Sequence, residues 1–220
     1  MIWEARTVGE AVCRSFRRAA RRTGEMKRTP PSPDKLPAFF YRLPVRMQRC
    51  YLRSNTIDRF EFAPIPSAAA AIAELIRVLE SGDVPATARA AAAAAAEVCR
   101  CAQVAPVRID VRGVRPRNTR GELHGLFYPY DPRQRTLPHI VLWMRTAERH
   151  QVVKPRTFVR TLMHELVHYF DYAVLRLDDS FHTMGFFKRE SYLVRALMPP
   201  ETEVAPPTGS DASRGGRVPR

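Results

Sequence analysis

Between Arg156 and Asp178 no proline or glycine interrupts the chain, and Phe158, Leu162, Leu166, Phe170 and Val174 recur at every fourth position. Val159, Met163 and Val167 widen that stripe, and Pro155 stands where a first helical turn tolerates a missing N–H. The spacing predicts a long helix, too apolar to stand alone, around which other elements must pack. The same helix carries His164 and His168 with Glu165 between them. Residues four apart lie one above the other on a helix, and Glu165 is rotated from His164 by about 100°. Two imidazoles facing into an apolar interior are costly without partners. One divalent metal partners both, and His-Glu-x-x-His on a helix is the pattern in which two rings bind zinc and the glutamate acts as general base.

Zinc sites that do chemistry take three protein ligands and keep a fourth position open. The third ligand therefore has to come from beyond this helix. His182 is the preferred candidate: Leu177-Asp178-Asp179-Ser180 reads as a helix end and turn, and Ser180 to Phe186 reads as a loop-to-helix junction that aims a side chain. Glu190, on the helix expected next, is the alternative. Asp171 shares a face with both histidines and is a candidate to hold one imidazole by its second nitrogen. Tyr192 and Arg195 are candidate oxyanion donors. His124 and His139 have no partner at ligand spacing and read as structural or surface residues.

The run His164-Glu165-Leu166-Val167-His168, followed by His182-Thr183-Met184-Gly185-Phe186-Phe187-Lys188-Arg189, resembles the SprT-like group of minimal zinc metallopeptidases. The resemblance covers roughly Leu137 to Leu197. Thr183 and Met184 replace the Gly-Pro that usually follows the third histidine of that group. The resemblance implies a zincin-like domain, Zn2+ on His164, His168 and His182, and Glu165 as the catalytic general base of a zinc metalloendopeptidase. Its substrate would be a protein or peptide. Since members of the group cleave proteins on DNA, the resemblance also implies DNA as a secondary partner. The alternative, from a different class, is a basic nucleic-acid-binding or adaptor protein whose metal site is structural or vestigial.

Charge bears on that choice only weakly. Thirty-six basic against 22 acidic residues leave +14, a balance that suits a polyanion. Only four of the basic residues are lysines, however, and the alanine content is high, a mixture that a GC-rich genome would also write. Cys13, Cys50, Cys99 and Cys101 form no CxxC pair, so neither a zinc ribbon nor a disulfide framework is indicated. No stretch approaches the length of a membrane span, and no apolar core follows a charged start, so a cytoplasmic location is the expectation.

The rest of the chain supplies the frame. Residues 1–35 form a basic extension, disordered or partly helical, ending in the linker Thr29-Pro30-Pro31-Ser32-Pro33. Residues 36–200 form the metallopeptidase-like domain, and 201–220 a disordered tail rich in Pro, Gly, Ser and Arg. Within the domain, Leu36 to Phe62 interleaves aromatics with arginines, read as a helix with its rings in the core. Ser67 caps a helix from Ala68 to Glu80, and an alanine-rich helix runs from about Pro85 to Val104. Val107, Ile109 and Val111 alternate with charged residues as in a half-wet strand. Glu122–Tyr130 and Leu137–Arg145 complete a meander, with Ile140–Met144 a candidate substrate-pairing edge, and the arginines from Arg112 to Arg120 form a solvated turn that could touch phosphate. The expected architecture is α+β: N-terminal helices, a small, mostly antiparallel three-stranded sheet on the His-Glu-x-x-His helix, and a C-terminal helix.

Overall fold

The computed structural model describes residues 36–118 and 121–198. The expected N-terminal arm and its proline linker, Cys13, Arg120 and the C-terminal tail lie outside the described residues. After a short 3-10 turn at Phe40–Arg42 come α1 (Val45–Thr56), α2 (Pro66–Leu79) and α3 (Val84–Cys101). Strands β1 (Arg108–Val114), β2 (Arg117–Asn118), β3 (Gly121–Glu122), β4 (Gly125–Tyr128) and β5 (His139–Arg145) follow, then α4 (Pro155–Ala173) and α5 (Met184–Leu197).

The α+β class stands, but the sheet is mixed rather than mostly antiparallel, and it is not a meander. Its order is β1-β5-β4: β5 lies antiparallel to β4, with Gly125 opposite Leu142, and parallel to β1, with Ile109 opposite Ile140. The reason lies in β5, where Ile140, Val141, Leu142, Trp143 and Met144 are all buried. A strand apolar on both faces is stable only with neighbours on both edges and cover above and below. Ile140–Met144 is therefore the central strand, and the edge nearer the His-Glu-x-x-His helix is β4. A parallel pair needs a long connection, and the β2–β3 hairpin and β4 all lie within the one between β1 and β5.

Local signals place the helices well. Pro66 opens α2 from its first turn, so Ser67 is one step inside the helix and its hydroxyl donates to Glu97 on α3 at 2.6 Å instead of capping. Asp83 caps α3, accepting from the Ala86 N–H at 3.4 Å. Ala91, Ala94 and Ala95 are fully buried, letting α3 approach closely. The aromatic–basic stretch divides as expected only in part: Phe40, Tyr51 and Phe60 are buried, whereas Phe39 and Tyr41 are exposed. Arg115, one of the turn arginines expected to be solvated, is instead buried, beside Glu122 at 3.4 Å and His124 at 3.2 Å, and Arg112 lies over the Trp143 ring. His139 stacks on Tyr128. Cys99 is buried and Cys101 only partly so, which puts the two thiols on different faces. No described helix is long and apolar enough to cross a membrane.

Helix α4 is the centre of the core. Phe158, Leu162, Leu166 and Phe170 are fully or almost fully buried, with Phe60 and Phe62 edge-on to Phe170. Each such side chain contributes about 1.5–3 kcal/mol by leaving water, so groups on this helix sit on a rigid element. The helix ends at Ala173, next to the last periodic position, Val174, and short of the helix end and turn expected at Leu177-Asp178-Asp179-Ser180. Arg176 adopts a left-handed φ of 53°, and the Leu177 N–H returns to the Asp171 carbonyl at 2.8 Å, which closes the last turn and reverses the chain. The loop after it leads directly to His182.

Candidate metal centre

Three imidazoles meet where α4, the loop after it and α5 converge. The His182 Nε2 lies 3.0 Å from the His164 Nε2 and 3.1 Å from the His168 Nε2. The three ligand atoms lie within 4.8 Å of one another, a group that can hold a metal ion. Metal–nitrogen bonds of ~2.0–2.1 Å in a tetrahedral site separate ligand nitrogens by ~3.3 Å, within a few tenths of an ångström of the closest approaches here. His164 is buried, His168 half-buried and His182 exposed, so the centre opens to solvent on the side of the loop.

The second ring nitrogens determine what the first can do. The His164 Nδ1 lies 2.8 Å from Glu190 Oε2, and Arg160 Nε donates to the other Glu190 oxygen at 2.6 Å. A carboxylate only accepts, so His164 carries a proton on Nδ1, and as a neutral imidazole it presents a lone pair at Nε2. For His168 the partner is the Ser180 hydroxyl at 2.8 Å, which itself donates to Asp171 Oδ2 at 2.7 Å. A hydroxyl has one proton; given to Asp171, it leaves Ser180 to accept from His168 Nδ1–H. The neutral His168 ring therefore also points an Nε2 lone pair inward. Acceptor lone pairs facing one another at ~3 Å repel unless a cation or proton lies between them, and this is the arrangement that outer-shell partners impose on zinc-binding histidines. Burial pushes the Asp171 carboxyl up to about 6, against the opposing pull of the Arg189 guanidinium and the Ser180 hydroxyl.

Phe186, fully buried one turn past His182, is the floor: its ring centroid lies 4.9, 4.6 and 4.9 Å from those of His164, His168 and His182. Phe187 stacks on His182, and Phe127 of β4 lies parallel to His168. Thr183 caps α5, accepting from the Phe186 N–H at 3.1 Å. Gly185, on the first turn of α5, is required by packing: a Cβ there would fall 2.1 Å from the Ser54 carbonyl oxygen at the end of α1. This glycine lets α5 bring Phe186 under the histidines.

Glu165 is buried against β4. A Cβ on Gly125 would fall 2.8 Å from Glu165 Oε1 and 2.7 Å from the Thr161 methyl, so the first residue of the edge strand touches the carboxylate next to the histidine pair.

The triad is therefore assembled from the residues that the sequence singles out. Glu190, the alternative third ligand, takes the Nδ1 side of His164 instead of joining the three. Asp171 reaches His168 through Ser180 rather than directly. Tyr192 donates to the Phe62 carbonyl at 3.1 Å and Arg195 is exposed; neither contacts the triad. The sequence does not single out Ser180, Arg160 or Gly125 for the roles they take here. Nothing local marks them, because each acts across a distance in sequence that only the folded chain closes. No protein-family model matches this chain, and no curated protein and no solved structure matches it either.

Proposed function

We propose that this chain is a zinc-dependent metallopeptidase of the SprT-like type, with His164, His168 and His182 holding the ion and Glu165 as general base. The observation that carries the reading is the convergence of three Nε2 atoms, two of them held as acceptors by Glu190 and by the Ser180–Asp171 pair. Three neutral nitrogen donors and an open side suit zinc better than the harder, oxygen-seeking cations. When bound, zinc supplies a Lewis acid that acidifies water and polarises a carbonyl. Glu165 takes the proton from the attacking water and delivers it to the leaving amine.

Substrate positioning follows from the sheet. Among the described residues β4 has a strand on one side only, and its Gly125 touches Glu165. An extended peptide added to the free edge of β4 would lay its backbone beside that carboxylate. Gly125→Ala tests the placement. The new methyl meets the buried side chains of Thr161 and Glu165, and the longer, unbranched Glu165 is the one expected to give way, which displaces its carboxylate. A stability loss of about 1–3 kcal/mol from overpacking is expected, with hydrolysis falling on the order of a hundredfold from misplacement and zinc content unchanged.

Metal analysis of the purified chain beside His182→Ala, with hydrolysis of an unstructured protein followed in both, tests the proposal. One zinc per chain and measurable hydrolysis are expected, both lost in the variant. Zinc retained by His182→Ala, or a zinc-loaded chain that cleaves nothing, would favour a basic adaptor with a structural metal.

A further inference from the structure

The loop between α4 and α5 also lines an open cleft of about 450 Å³ against α1. Arg46, Arg49 and Arg53 project into it from one face of α1, at spacings of three and four residues, and Arg176 comes from the loop. Like charges at those spacings on a helix repel, and the only carboxylate lining the cleft is that of Asp178. Arg46 already holds it through two hydrogen bonds, one of them from Nε at 2.6 Å. Arg53 donates to the Leu175 carbonyl at 2.8 Å, and Arg49 makes no ion pair among the described residues. Four guanidinium groups against one carboxylate leave the cleft strongly positive.

Arg176 sits at φ 53°, the left-handed position where a helix stop ordinarily carries glycine, and it lines the cleft beside the arginines of α1. We propose that this cleft binds a compact phosphate-bearing ligand, with Arg49, Arg53 and Arg176 taking the oxyanion and the Arg46–Asp178 pair forming one wall. The volume falls in the range of small-molecule sites, and Val45, 63% exposed, gives the lining an apolar surface for the organic part of the ligand. The phosphate can belong to a free nucleotide or to the end of a nucleic-acid strand. The proposal is independent of the metal reading, since none of its residues is in the triad.

Titration calorimetry of the full chain with inorganic pyrophosphate tests it. One saturable site is expected, weakened by at least about tenfold in Arg49→Glu, because a charge-assisted hydrogen bond is lost and a like charge then faces the anion. Arg176→Gly, which suits the left-handed backbone, should fold normally and bind less tightly. Asp178→Asn should bind more tightly, because it releases Arg46. Absence of binding, or binding indifferent to Arg49→Glu, as capture at the histidines would be, overturns the proposal. Competition then distinguishes the sources. Displacement of pyrophosphate by a nucleoside 5′-monophosphate assigns a free nucleotide, and displacement only by a 5′-phosphorylated oligonucleotide assigns a strand end. An oligonucleotide without terminal phosphate that competes equally well overturns the compact-ligand claim.

Discussion

Glu165→Gln is expected to leave the chain folded and zinc-loaded while peptide hydrolysis falls by about 10²–10⁴-fold, the usual contribution of a positioned general acid–base group. Glutamine keeps the shape and most of the hydrogen-bonding capacity of the side chain but cannot take a proton. Glu165 is not among the three residues whose ligand atoms converge, and it lies against Gly125 of β4. Metal content should therefore be indifferent to the substitution. The comparison also separates the two classes of function. In a catalytic centre the rate collapses and the metal stays; in an adaptor with a structural metal there is no hydrolysis to lose. A variant that keeps both its zinc and the wild-type rate would remove Glu165 from the mechanism, and one that loses its zinc would reassign Glu165 to holding the site together.

The parts of this site that were legible in the sequence share one property: they are local. His164, Glu165 and His168 lie on one uninterrupted helix, whose period fixes their relation before any tertiary contact forms. His182 needs one more step, a turn after the helix, and the left-handed Arg176 supplies it just before the turn expected at Leu177-Asp178-Asp179-Ser180. Strand order was harder to read, because adjacency in sequence favours a meander. The contrary signal was the unbroken apolar run Ile140–Met144, which marks a strand covered on both sides and so a central one. Least legible were the groups that orient the histidines. Glu190 reads in the sequence as the alternative third ligand, but whether it binds a metal or a ring nitrogen depends on where α5 lies against α4, and a sequence does not contain that distance.

Asp171→Asn should destabilise the chain by about 3–5 kcal/mol, the expected cost of stripping a buried charge of its partner. Asp171 and Arg189 are both fully buried, with Arg189 donating to Asp171 Oδ1 at 2.9 Å. Burial also works against both charges: it raises the carboxyl and lowers the guanidinium from their ordinary values. Neither ion is there cheaply, and each depends on the other. Arg189 in addition donates to the Ser54 and Ile57 carbonyls at the end of α1 and to the Ser54 hydroxyl, so it ties α1, α4 and α5 together. With asparagine at 171 that guanidinium is left uncompensated, and Ser180 loses the anion that orders its hydroxyl toward His168. For a domain of this size the loss corresponds to a fall in Tm on the order of 6–20 °C, measurable on the metal-free protein, where zinc cannot mask it. Zinc affinity should fall as well, because His168 loses the partner that keeps its Nε2 an acceptor. Arg189→Met in the same background offers a control. If the loss comes from a stranded charge, removing that charge should return part of the stability although the α1 carbonyls go unpaired; if the double variant is simply the sum of the two single losses, the pair is not coupled and the buried-ion explanation fails.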